Sequence, residues 1–259
     1  MFTFGPLDAN NTPGLMAILK DVEHLPEVQL ATVASPGRDG VFFAEAAHGP
    51  GKWVFDLTAV AATPNEVTAT AAQVAEALSP RLGIQPLTMS IAPGFGWGAV
   101  LAQELRWTRG LWAIGGECQL NATATFTTPD PYGYAIVDDT WNWTTTGSRT
   151  VTRNKGNTGS RPTIEARAVL TAAQTITITI DGTPVQVTGP LTAAQKLRLD
   201  YTSMDFGIWN TAGTVKQTSA APRMDRFDQL ELPPGDSTIA VATTGTLTEL
   251  TVRANSRRI

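Results

Sequence analysis

Asp138 and Asp139 are the residues of this chain whose type best suits acid–base chemistry. Glycoside hydrolysis uses two carboxyl groups, one on each side of the scissile bond. A catalytic role would therefore need a second carboxylate brought across a cleft by the fold, and the plainer reading is a pair of solvated acids beside a linker. Trp141 and Trp143 follow on one face of an alternating stretch. Such a pair can stack on sugar rings, or it can fill a core or a domain interface. Gly94-x-Gly96-x-Gly98 is reminiscent of a dinucleotide loop, yet it opens no β–α–β unit and no acid follows at a strand end about 20 residues on. Close backbone packing or a flexible turn accounts for those glycines. Gly49-Pro50-Gly51-Lys52 lacks the spacing of a phosphate loop, and no Gly-x-Ser-x-Gly elbow occurs. Cys118 is the only cysteine, and His24 and His48 lie far from it in sequence. Neither a disulfide nor a zinc set is predicted. The expectation is a chain with no catalytic, cofactor-binding or metal-ligating residues and no cofactor.

The elements that position these residues are mostly strands. Charged residues make up 16% of the chain against the usual ~25%, and threonine carries much of the polar surface. Threonine favours strands. The net charge of -4 argues against a general nucleic-acid binder. Basic residues gather only at Arg253, Arg257 and Arg258, between Arg149 and Arg161, and between Arg223 and Arg226, and read as solvated or interface strand edges. The N-terminus lacks the basic and apolar regions of a signal peptide, and no stretch approaches the ~20 apolar residues of a membrane span. The Asn-x-Thr matches at Asn10, Asn121 and Asn142 read as coincidences of a threonine-rich chain.

One helix is predicted. Thr63 is an N-cap, Pro64 suits the first helical position, and Glu66 completes a capping box. Val67, Ala71, Val74, Ala75 and Leu78 then share one face, and Ser79-Pro80 ends the run. Around it, 29–33, 53–57, 87–91, 111–114 and 119–127 read as strands, with a dense turn signal at 35–40. Pro129-Asp130-Pro131-Tyr132-Gly133 stops any regular element and marks a domain boundary, giving domains of 1–130 and 131–259. Beyond it, Thr175 to Ile180 alternates threonine with isoleucine, and Asp181-Gly182 turns the chain back toward Val185 and Val187. Further alternation at Leu197, Leu199 and Tyr201, at Ile239 and Val241, and at Leu250 and Val252 predicts a β-sandwich.

Three places resemble the distal tail protein family of long-tailed (siphovirus-type) bacteriophages. They are the turn Ser35-Pro36-Gly37-Arg38-Asp39-Gly40, the junction Thr128-Pro129-Asp130-Pro131-Tyr132, and the C-terminal order of motifs. That order runs from Asn154–Pro162 through Ile180-Asp181-Gly182 to Leu232-Pro233-Pro234-Gly235-Asp236-Ser237-Thr238-Ile239 and a closing strand that ends in arginines. Gly133-Tyr134 departs from the bulkier aromatic pair that the resemblance leads one to expect. The resemblance implies a mainly β protein: an N-terminal β-sandwich or split barrel with one α-helix, like tail-tube proteins, and a C-terminal galectin-like β-sandwich. It implies a structural, non-enzymatic part of the virion tail tip, assembled in the host cytoplasm. Copies of the N-terminal domain would close into a ring, commonly a hexamer, that joins the tail tube protein to the tail tip or baseplate hub protein. Tape measure and receptor-binding proteins are further implied partners, and DNA would pass through the lumen without specific binding. The lumen surface is then expected to be neutral or acidic. Two other readings compete: a carbohydrate-binding, lectin-like adhesin built on Trp141 and Trp143, and a glycan-cleaving enzyme built on Asp138.

Overall fold

The computed structural model describes residues 1–22, 28–34, 41–112, 116–225 and 230–259. It comprises two compact units, Met1–Gly133 together with Ile259, and Tyr134–Arg258. The turn expected at 35–40 lies outside the described residues, as does His24.

In the first unit, antiparallel strands form the path Leu7–Asp8, Phe2–Phe4, Gln85–Met89, Phe95–Leu101, Cys118–Thr128, Gly51–Ala61, Leu15–Val22. Thr108–Trp112 also lies against Cys118–Thr128, where the expected strand at 111–114 begins earlier than its pattern suggested. Val28–Ala34 and Val41–His48 pair as a separate two-stranded sheet. Alternation explains the central strands. Trp53, Phe55, Leu57 and Ala59 point into the core, as do Ala122, Ala124 and Phe126 opposite them. Phe2, Phe4, Phe55 and Phe126 meet there with ring centroids 4.3 to 5.8 Å apart. Each such side chain stabilises the fold by about 1.5–3 kcal/mol through burial alone.

The helix spans Pro64–Ala77 and starts on the expected capping box. The Glu66 amide donates to Thr63 Oγ1 at 3.3 Å, and the Thr63 amide donates to Glu66 Oε2 at 3.1 Å. A 14-residue helix is marginal alone, so its apolar stripe must be covered. Val67, Ala71, Val74 and Leu78 are buried, and Val67 packs with Ala59 and Cys118 of the sheet.

The second unit is a sandwich. One sheet has the order Thr140–Trp143, Thr246–Arg253, Thr163–Val169, Gln195–Asp200, Asp205–Asn210, Lys216–Ser219. The other has the order Gly147–Arg153, Gly235–Thr243, Thr175–Ile180, Thr183–Thr188. A single buried cluster draws Ile164, Leu199 and Val252 from the first sheet and Ile176, Ile178 and Val241 from the second. The Thr-Ile alternation thus places isoleucine inside and threonine outside. Asp181 and Gly182 turn the hairpin with φ of 47° and 82°, the left-handed pair that a tight two-residue turn needs.

Candidate assembly surfaces

The acids singled out for chemistry are holding backbone together. Asp138 Oδ1 accepts from the Asp139 amide at 2.9 Å, and its Oδ2 accepts from the Ser256 amide at 3.1 Å. Asp139 Oδ2 accepts from the amides of Asn154 and Lys155 at 2.8 and 3.0 Å. The two side chains thus clasp the loop after Gly147–Arg153 and the C-terminal segment. The basic residues between Arg149 and Arg161 read as solvated or interface strand edges, but Arg153 among them is buried, only 3% exposed. Its Nη2 donates to the Thr158 carbonyl. Burial pushes its guanidinium pKa down, while the nearby charges of Asp138, Asp139 and Glu231 push it back up. Those charges offset part of the cost of burying the cation.

The aromatic pair faces inward. Trp143 is 1% exposed within the sandwich core, and Trp141 packs partly buried against the same cluster. The lectin reading therefore loses the platform on which it was built. Gly96 and Gly98 lie within the Phe95–Leu101 strand, where a Cβ on Gly98 would come within 3.1 Å of Ile84 Cγ2. Gly98 thus lies in close packing within a strand. His48 sits edge-on to Tyr132 with centroids 6.0 Å apart. The Pro129–Gly133 junction packs on Trp97, whose Nε1 donates to the Pro131 carbonyl at 3.3 Å.

The surfaces that remain are strand edges and sheet faces. Leu15–Val22 ends the sheet path of the first unit and pairs only with Gly51–Ala61 among the described residues. Its outward Met16 and Ile18 are 52% and 70% exposed. The register sets Met16 beside Thr58 and Ile18 beside Asp56, and sets these in turn beside Asn121 and Thr123. That outer face is polar past its apolar edge. Thr123 Oγ1 donates to Asp56 Oδ1 at 2.9 Å, Thr58 Oγ1 to Asn121 Oδ1 at 3.1 Å, and Lys20 reaches Asp56 at 3.5 Å. A depression of about 720 Å³ opens on the same face, bounded by Gln103, Glu104, Arg106 and Thr108.

The sandwich has two unlike outer faces. The six-stranded sheet carries a charge ladder in which Glu165 meets Lys196 at 3.0 Å and Arg198 at 4.0 Å, and Arg198 meets Asp200 at 3.4 Å. Such partly exposed pairs add little stability, and they keep a face solvated. The four-stranded sheet instead presents Thr175, Thr177 and Thr179 beside Ala240, Ala242 and Gln186.

The architecture has a solved counterpart in the SPP1 Dit (gp 19.1) protein, described as a paradigm of the hub adsorption apparatus in Gram-positive infecting phages. The match covers 100% of this chain and 98% of that one, with a TM-score of 0.68 and 15% sequence identity. This chain has the fold of SPP1 Dit. A chain of the phage P2 baseplate, in its activated conformation with Ca, matches over 98% of this chain and 93% of its own length at 10% identity, with a TM-score of 0.48. No family model matches the chain, and no curated protein matches it.

None of the surfaces was legible beforehand as a site. A strand edge becomes visible only when the pairing order is known, and its one local trace was the pair of apolar residues Met16 and Ile18 on alternate positions.

Proposed function

We propose that the chain is a structural ring protein of a phage tail tip, without catalytic activity, that joins the tail tube to the hub. The observation that carries this reading is the fold shared with SPP1 Dit from end to end. The order of motifs from Ser35 to Arg258 supports it independently of the fold. In this reading residues 1–130 form the belt of the ring, and residues 131–259 are the galectin-like domain that projects from it. A ring is a closed, heterologous interface in which one edge of each copy meets a different edge of the next. The open Leu15–Val22 edge with its exposed Met16 and Ile18 suits such a contact. The partners are other copies of the chain, the tail tube protein and the hub protein, with tape measure and receptor-binding proteins at the ring's faces. DNA crosses the lumen without specific binding, past a neutral or acidic surface. The protein resides at the tail tip of the virion after assembly in the host cytoplasm.

Light scattering on the purified chain, and imaging of the particle, test the reading together. A six-copy ring of a 27.5 kDa chain weighs about 165 kDa. Imaging should place that ring between tube and hub. A chain that stays monomeric within finished particles, or an arginine-lined pore, refutes it.

A further inference from the structure

The Cys118–Thr128 strand is paired without interruption on one side and broken on the other. Gly51–Ala61 accompanies it along its whole length. On the opposite side, Phe126 and Thr127 pair with Leu101 and Val100, while Cys118, Leu120 and Asn121 pair with Trp112, Arg109 and Thr108. The first ladder ends where the Ala102 amide donates to the Thr125 carbonyl at 2.7 Å. The second begins where Thr108 Oγ1 donates to the Asn121 carbonyl at 3.1 Å. Between them the chain at 102–107 leaves the sheet. Backbone groups alternate sides along an antiparallel strand. Thr123 therefore turns its N–H and C=O the same way as Asn121 and Thr125, into the break. Among the described residues neither group has a partner.

The break opens into the depression already described. Leu57 and Ala122 border it, but their side chains are buried in the core, so what they offer there is backbone. The side chains around it are hydroxyls and amides together with Asp56, Glu104 and Arg106. The lining holds two acids and one base, and Lys20 beside it pairs with Asp56, so the charges sum to zero only once Lys20 is counted.

We propose that this break is a docking slot for an extended, uncharged segment of an adjoining tail protein, which restores the ladder at Thr123. The inference rests on the tail-tip reading. An open donor and acceptor on one strand residue call for another extended backbone, the mode of strand addition. Among the described residues the lining presents no apolar side chain to the opening, which disfavours an amphipathic helix, and acids offset by Arg106 and the neighbouring Lys20 disfavour a highly charged peptide. Asn121 and Thr125 are already engaged, so at about 3.4 Å per residue the open positions between them hold roughly three residues of the incoming strand.

Amide exchange of the full-length chain, free and in tails purified from particles, tests the slot. Exchange at Thr123 should slow by about tenfold or more in the tails. Two variants accompany it. Thr123→Pro deletes the N–H on the open side and leaves the Gly51–Ala61 ladder intact, the position in a sheet where proline is tolerated. It should enter tails about tenfold less than the parent, while Thr123→Ser enters normally. Equal exchange at Thr123 in free chain and tails, or normal incorporation of Thr123→Pro, overturns the slot while leaving the tail-tip reading standing. If Thr123→Pro does not fold, the exchange measurement alone decides. A chain missing from purified tails overturns both.

Discussion

Replacing Trp143 separates a core indole from a sugar platform. Trp143 is 1% exposed, and its strand pairs with Thr246–Arg253 so that Trp143 lies opposite Leu250. Truncation to alanine empties a large volume in a core that draws on both sheets, at a cost of about 3–5 kcal/mol. For a domain of this size each kcal/mol moves Tm by about 3–5 °C, so Trp143→Ala should lower Tm by about 10–20 °C. Phenylalanine is the informative control. Among the described residues Trp143 Nε1 is buried without a hydrogen-bond acceptor, a state that costs about 1–3 kcal/mol. Trp143→Phe loses packing area but also removes that burden, so it should stay within about 1 kcal/mol of the parent. Urea titration followed by far-UV circular dichroism gives both values, and a glycan array run on the same proteins gives the alternative its chance. Wild-type stability of Trp143→Ala combined with loss of glycan binding refutes the packing argument, because it would put the indole on a ligand-facing surface.

Three further outcomes are expected. Thr63→Ala removes the cap from Pro64–Ala77 and should cost about 1 kcal/mol, recovered in Thr63→Ser, as read by thermal melts of the helical signal. Gly133→Ala drives a Cβ to 2.6 Å from Trp97 Cζ2, so it should destabilise the first unit by about 1–3 kcal/mol and shift the near-UV tryptophan signal. Asp139→Ala strips the acceptor from the amides of Asn154 and Lys155 and should cost about 1.5–3 kcal/mol, with Asp139→Asn closer to the parent because it keeps a carbonyl oxygen. Unchanged denaturation midpoints for Asp139→Ala would show that the clasp contributes nothing.

Local chemistry was enough for several features. The capping box, the end of the helix before Pro80, and the Asp181-Gly182 turn all depend on residues within a few positions of one another, so sequence alone determined them. Strict alternation from Thr175 to Ile180 likewise settled which face is apolar, since successive side chains of a strand point to opposite sides. What each apolar face meets is a different matter. Trp143 is in the core because a second sheet closes over it, and three of that sheet's four strands come from residue 175 or later. Asp138 could be read as an acid awaiting a substrate until the fold brought it the amide of Ser256, 118 positions away. The break at Thr123 depends on pairing order as well. It exists because two consecutive strands, Phe95–Leu101 and Thr108–Trp112, share one neighbour and leave a gap between them. Short-range torsional and capping preferences act through neighbours and can be read in order. Pairing order, burial of a given side chain, and an unsatisfied backbone edge arise only when distant segments compete for the same partner, and tertiary structure alone decides that competition.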